Sequence, residues 1–342
     1  MKKIQFFARE LGFTGLTKET VTLVNSLSEL YNIEIVFINE SNTTPYLLNK
    51  KVSVKYINYS RFSCFINEKI KRVICDYRAN IIISTDYHFN RAIAKYNNKA
   101  TLIYWNHYFN LSDKEIKIVA STIKKYSKIV FASHRLSNKF KNYTSIECVY
   151  IADGIVSEKE KISDLKSKNL VFVGKLNKNK CIDELLDVMS LIRKEDKEVV
   201  LSIVGDGEER NNLVSKAKNL RLGLSVSFLG ELSEDEKRDV FIDSAIFVTA
   251  SKSNSFGISV LEAMSAGLPV VAFSESINNE EIIRNDINGY VVPNRNKVEM
   301  KNKIMEIINN DEFRNTMGSC AKETSAVYDI NNIKSEWIKI LK

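Results

Sequence analysis

The sequence predicts an α/β protein of two doubly wound domains. Three observations lead there. Short apolar, β-rich runs alternate with stretches of helical period along nearly the whole chain, the runs fall into two series, and a polar segment separates the series. Runs spaced a helix apart cannot pair as hairpins, so they read as parallel strands joined by crossover helices. Two such series imply two open sheets, each with helices on both faces.

The first series is Ile4–Phe7, Ile33–Ile38, Ile81–Ser84, Thr101–Trp105 and Ile129–Ala132. The second is Leu170–Val173, Val199–Val204, Val226–Leu229, Ile246–Thr249 and Val270–Phe273. Between them Asp153–Lys168 lacks a sustained apolar face and marks the boundary, giving domains at 1–155 and 156–325. Near the end Ile330, Ile333, Trp337, Ile340 and Leu341 fall on one helical face, which has to pack somewhere. Residues from about 326 to 342 are therefore expected to return to the first domain.

At 342 residues the chain can bury two cores, and 44% hydrophobic with 27% charged residues is ordinary for a globular protein. The opening MKKIQFFARELGF has too short an apolar run for a secretory signal, and no stretch approaches the ~20 apolar residues of a spanning helix. The expected location is the cytoplasm, with a peripheral contact to the inner face of the membrane left open. Cys64, Cys75, Cys148, Cys181 and Cys320 are scattered, and His88, His107 and His134 have no metal-ligand spacing relative to them. Free thiols are expected, with no zinc site and no metal.

Charge is lopsided. Residues 1–150 carry 23 Lys+Arg against 11 Asp+Glu, a net of +12, and the remainder carries 27 against 31, a net of −4, which sum to +8. Such a balance points the first half at an anionic partner, or else reflects a lysine-rich composition.

Ligands of doubly wound sheets bind beyond the carboxyl ends of the strands, where helix N-termini offer N–H groups and partial positive charge. Four segments fit. Gly12–Thr17 joins the first strand to a helix and is not a GxGxxG fingerprint, so an ordinary turn serves as well as a ligand loop. The segment from Val173 to Ile182 places Lys175 and Lys180 where they either converge on a diphosphate or form a solvated basic turn. In Ile203–Arg210, glycines punctuate a strand end and Asp206 or Glu208 is positioned to cap the next helix, a structural role. The longest is Ala250–Val271, in which Glu262 sits among Leu261, Ala263 and Met264. A carboxylate there needs a partner, either a pair of ligand hydroxyls or a salt bridge on the helix surface.

SKSNSFGISVLEAMSAGLPVV closely resembles the C-terminal signature of family 4 of the retaining glycosyltransferases. VGKLNKNKCIDELL, IVGDGEERNNL and FLGELSEDE resemble further landmarks of that family in order, and WNH at 105–107 and YIADGI at 150–155 resemble weaker ones. The resemblance implies a GT-B fold, two Rossmann-like domains facing a cleft, with an N-terminal acceptor-side domain and a C-terminal donor-binding domain. It implies transfer of a sugar, with retention and without a metal or other cofactor, from a nucleotide-sugar co-substrate. A UDP-sugar is the expected donor and a glycan or lipid-linked molecule of cell-surface polysaccharide synthesis the expected acceptor.

The resemblance also implies roles for matching positions. Lys175 and Lys180 would contact the donor diphosphate, Glu262 the ribose hydroxyls, and backbone amides at Phe256, Gly257, Ile258 and Ser259 phosphate or sugar. Gly15 would lie against the diphosphate, His107 would approach the sugar near the reacting carbon, and Leu232 would line the base pocket. One departure stands out. The first acid of the family's Glu-x7-Glu pair is Asn254 here, which still hydrogen-bonds the donor sugar but carries no charge. Asn254 makes altered sugar choice the expected consequence. The competing readings are an accessory subunit that binds without catalysing and a nucleotide-sugar epimerase of the same fold. A nucleic-acid binder would explain the basic half but not the donor loops.

Overall fold

The computed structural model describes the chain except residues 9–14, 40–45, 59–64, 98, 109–110, 158–162, 164, 253–256 and 275–278. It divides into two compact units, Met1–Ile155 with Ile330–Lys342, and Val156–Asp329.

The first unit holds strands β1 (Lys3–Ala8), β2 (Asn32–Asn39), β3 (Ser53–Asn58), β4 (Ile81–Ser84), β5 (Thr101–Asn106), β6 (Lys128–Phe131) and β7 (Glu147–Tyr150). They form one parallel sheet in the order β3-β2-β1-β4-β5-β6-β7. The second unit holds β8 (Asn169–Val173), β9 (Val200–Val204), β10 (Val226–Gly230), β11 (Ile246–Thr249), β12 (Val270–Phe273) and β13 (Gly289–Val292). Its parallel sheet runs β10-β9-β8-β11-β12-β13. Strand order therefore reverses once in each sheet, between β1 and β4 and between β8 and β11. The interior strands are buried on both faces, as helices on either side of a parallel sheet require.

Three strands do not stand out in the sequence: β3, β7 and β13. All three are edge strands. With a neighbour on one side only, β3 (SVKYIN) and β7 (ECVY) keep half-exposed positions and lack a continuous apolar run. β13 opens on Gly289, where a Cβ would lie 2.1 Å from the Val270 carbonyl oxygen of the adjacent strand.

The helix Ile330–Leu341 belongs to the first unit. Ile330, Ile333, Trp337 and Leu341 are buried and Ile340 is half-buried, so the apolar face read from the sequence is the packed face. The helix lies on the helix Gly15–Leu27, and the Trp337 ring meets Trp105 edge-on at 5.0 Å between centroids. The Ile330 N–H donates to the Ile155 carbonyl at 2.7 Å. Cys75, Cys148, Cys181 and Cys320 are free thiols, and among the described residues no helix is long and apolar enough to cross a membrane.

Trp337 is 1% exposed. Replacing it with alanine removes a large ring from a closed core, at a cost of about 3–5 kcal/mol. Trp337→Ala should therefore lower the unfolding midpoint of the first unit in calorimetry. An unchanged profile would show that the terminal helix is not part of that core.

Candidate functional site

In the second unit, the loops after β8 and β11 leave the sheet on either side of the point where strand order reverses, the place where open parallel sheets bind ligands. These loops carry Gly174–Lys180 and the start of the Ala250–Val271 segment. They are bonded to each other, since the Lys252 N–H donates to the Asn179 carbonyl at 2.7 Å. Arg295 braces them from below. Its Nε pairs with Glu184 at 2.9 Å, its Nη2 donates to the Ala250 carbonyl at 2.8 Å, and its guanidinium lies 4.9 Å from the Phe273 ring centre.

The Gly205–Gly207 loop fixes the first of these loops in place. The Gly174 N–H donates to Val204 at 3.0 Å, the Leu176 N–H to Asp206 at 2.9 Å and the Glu209 N–H to Leu176 at 3.0 Å. The backbones approach so closely that a Cβ on Gly205, whose φ is +125°, would lie 2.1 Å from the Gly174 carbonyl oxygen. The expected cap is corrected by the structure. Glu209 occupies the N-cap of the helix Arg210–Asn219 with no side-chain cap bond, while Asp206 accepts from the Gly207 N–H at 2.6 Å. The chain turns one residue later than the glycine spacing suggests because the two loops are laced together first.

The Lys178–Lys180 turn is capped by Asn177, whose side chain accepts from the Lys180 N–H at 3.2 Å. The Lys180 stem runs past Gly174, and burial lowers the amine's pKa from its ordinary value. Lys175 is exposed. Among the described residues no carboxylate pairs with either amine. A desolvated cation without a counter-ion is costly, and an incoming anion relieves that cost.

Beyond β11, Asn254 and Phe256 lie outside the described residues. Gly257, at φ +87°, is the N-cap of the helix Ile258–Ser265 and supplies no side-chain cap. The first intrahelical bond runs from Leu261 N–H to the Gly257 carbonyl at 3.0 Å. The amides of Ile258 and Ser259 precede it and have no acceptor within the helix. The Ile258 side chain is buried, so only its backbone is available to a ligand.

One helical turn on, Glu262 is 13% exposed and its Oε2 lies 3.1 Å from the Lys237 Nζ, itself 11% exposed. Lys237 also meets Glu234 at 2.9 Å. The carboxylate thus has its partner within the unit, and the residue that sequence reasoning missed is Lys237. It arises from the helix Glu234–Ile242, which a Ser233–Glu236 capping box starts directly after half-buried Leu232. A lysine within EDEKR gives no sequence signal of a buried bridge.

In the first unit, Gly15 starts the helix Gly15–Leu27, and Glu19 follows one turn later. Glu19 Oε2 lies 3.2 Å from His107 Nδ1, and the two side chains are 5% and 4% exposed. Asp153 is buried beside them. Burial pushes the Glu19 carboxyl up to about 8 and His107 down to about 4, and burial together with the Glu19 charge raises Asp153 well above the carboxylate range. One proton shared between Glu19 and Asp153 makes the hydrogen bond that two carboxylates could not. These residues come from distant positions, which linear spacing does not reveal. One donor atom from each lies within 4.8 Å of the others, a group able to hold a cation.

Part of the basic half forms a groove of about 390 Å³, lined by Lys117, Lys124, Tyr143 and Ser145 among others.

Two open parallel sheets, each with one reversal of strand order, define the GT-B fold. Residues 156–324 match the family described as Glycosyl transferases group 1, and the chain belongs to that family, a family 4 glycosyltransferase. It is 28% identical to an uncharacterized glycosyltransferase of Haemophilus influenzae, with 100% of both chains covered. It is 24% identical to the poly(ribitol-phosphate) alpha-N-acetylglucosaminyltransferase of Staphylococcus aureus, over 71% of this chain and 50% of that one. A crystal structure of an S. aureus TarM mutant in complex with fondaparinux, alpha-GlcNAc-glycerol and UDP superposes with a TM-score of 0.83 at 16% identity, covering 99% of each chain.

Gly205→Ala should force the loops after β8 and β9 apart, because backbone cannot yield as a flexible side chain can. Destabilisation of about 2 kcal/mol or more is expected in a denaturant titration, as for other strained backbone sites. A variant as stable as the parent would show that the close approach is not required.

Proposed function

We propose that this glycosyltransferase moves a sugar from a UDP-sugar to an anionic, phosphate-bearing glycan or lipid-linked acceptor, with retention of configuration and without a metal at the diphosphate. The observation that carries the reading is the desolvated Lys180 amine, unpaired among the described residues, on the loop after β8 that also carries Lys175, at the reversal point of the second sheet. When the bond between the sugar's anomeric carbon and the diphosphate oxygen breaks, the electron pair stays on the phosphate. Lys175, Lys180 and the amides of Ile258 and Ser259 stabilise the charge that develops there. The acceptor hydroxyl attacks the anomeric carbon from the leaving-group face and passes its proton to the departing phosphate oxygen.

Glu262 takes the ribose hydroxyls, held by Lys237 so that one oxygen stays fixed. Leu232 lines the base pocket and Asn254 hydrogen-bonds the donor sugar. The UDP assignment is supported by the UDP bound in the TarM structure. The acceptor class is supported by the +12 first half and by the poly(ribitol-phosphate) acceptor named for the S. aureus relative. A basic surface also suits a cytoplasmic enzyme working against anionic lipid, at about 1 kcal/mol per cation close to the membrane.

Lys180→Met keeps the stem and removes the charge. In the free protein it should raise the melting temperature, because the uncompensated cation is gone. UDP affinity should fall about tenfold or more, since a hydrogen bond to a charged group contributes about 1.5–3 kcal/mol. Calorimetric titration with UDP in EDTA checks both points. Parental affinity in the variant, or no binding by the parent until magnesium is restored, would overturn the metal-free diphosphate site.

Glu262→Ala should weaken UDP binding by a similar factor while leaving stability nearly unchanged, since Lys237 retains Glu234. Full affinity in that variant would remove Glu262 from the ribose.

A further inference from the structure

We propose that the basic groove of the first unit holds a phosphodiester-repeat chain at a point set apart from the reacting end of that chain. This rests on the phosphate-bearing acceptor proposed above. The groove, of about 390 Å³, lies between the helix Asp113–Thr122 and the turn that leads into β7. Lys117 and Ser121 stand one turn apart on the helix, Lys124 follows its end, and Tyr143 and Ser145 line the groove from the turn. Arg91 reaches the same place from the helix Tyr87–Tyr96, where its Nη2 donates to the Ser121 hydroxyl at 2.9 Å.

Three cations meet here, and the neighbouring acids are engaged elsewhere. Asp113 pairs with Lys139 at 2.9 Å, Glu147 pairs with Lys128, and Glu115 accepts from the Ser112 N–H at 2.8 Å in a capping box. Asp113 is held below its usual range first by its bond to Lys139 and only weakly by the more distant Lys117 charge. Among the described residues no carboxylate lies within ion-pair distance of Lys117, Lys124 or Arg91. Cations gathered about a concavity sum their fields in one place instead of spreading them into water. Ammonium groups interleaved with hydroxyl donors are what a phosphate oxygen can accept from.

Shape selects among anions. A bilayer is flat and is gripped by protruding apolar side chains. On the helix Asp113–Thr122 only Ile118 among the apolar residues is exposed, at 44%, and it does not line the groove. A concave site with hydroxyls between cations suits an extended chain whose charges repeat along its length. Position matters as well. The groove sits where the helix ends and β6 and β7 begin, whereas ligands of an open parallel sheet bind beyond the carboxyl ends of the strands. A phosphate in the groove and a reacting hydroxyl at the carboxyl edge therefore belong to different repeats of one chain. Holding one repeat raises the local concentration of the next, as in any bivalent ligand.

The test uses the full chain with labelled poly(ribitol phosphate) as probe, read by fluorescence anisotropy at low salt. The parent should bind the polymer and should not bind ribitol 5-phosphate at the same phosphate concentration. Lys117→Gln with Lys124→Gln should weaken polymer binding about tenfold. The slope of log affinity against log salt should fall by about 1.4, as two phosphate contacts on a single-stranded polyanion are lost. Lys114→Gln with Lys125→Gln removes two exposed lysines outside the groove and should leave polymer affinity near the parent's. Phosphatidylglycerol vesicles separate the lipid source, and the groove variant should sediment with them as the parent does. The proposal is overturned if the parent ignores the polymer, if the groove variant keeps parental affinity, if both double variants lose affinity equally, or if the loss appears on vesicles instead. UDP affinity, which the groove variant should keep, reports separately on the diphosphate site, and sugar transfer from a UDP-sugar to the polymer reports on the acceptor reading.

Discussion

The donor end of the second unit depends on one close approach of backbones, at Gly174 and Gly205. A carbonyl oxygen occupies the space where any side chain on Gly205 would begin. Through that contact the loops after β8 and β9 share three hydrogen bonds, and the loop after β8 is fixed before it reaches Lys175 and Lys180. The Lys252–Asn179 bond then fastens the loop after β11 to it. Parallel strands deliver these loops to one edge of the sheet, and the glycines let them lie close enough to act as one surface.

Electrostatics sort the residues on that surface. Glu262 and Lys237 satisfy each other and can stand partly buried at little net cost or gain, as buried pairs commonly do. Lys180 is partly buried, its pKa lowered by desolvation, and has no such partner among the described residues. The first unit shows the opposite sign of the same problem, with two carboxyls and an imidazole that share no cationic neighbour among the described residues. In both places folding alone leaves a charge unanswered. In the proposed function an anion answers the first.

What was legible in the sequence follows from where each residue's partners lie. Interior strands such as Ile81–Ser84 and Val270–Phe273 are covered on both faces, so their apolar runs are unbroken and can be read directly. Edge strands Ser53–Asn58 and Glu147–Tyr150 are covered less, and their mixed composition hides them, whereas Gly289–Val292 is apolar but short and opens on glycine. Lys175, Lys180 and Glu262 could be singled out as candidates because loops and helix starts carry local punctuation by glycine and proline. Lys237, Glu19 and Asp153 were not visible as a site. Their significance lies in contacts across 25, 88 and more residues of chain, and no local pattern encodes such contacts.

The unpaired amine also bears on how affinity and stability divide in this enzyme. A carboxylate placed beside Lys180 would stabilise the empty protein and compete with phosphate for the same cation. Leaving Lys180 without one keeps its attraction for an anion undiminished, at the expense of the free fold. Glu262 follows the other course. Its fixed partner Lys237 lies on the same unit and needs no displacement, because a carboxylate can accept from an ammonium and from hydroxyls together. In the proposed donor site the diphosphate therefore gains from relief of a desolvated charge, whereas the ribose gains from a group already positioned. Affinity for UDP should accordingly be more sensitive to salt and to charge removal at Lys180 than at Glu262, since only the first is an uncompensated charge.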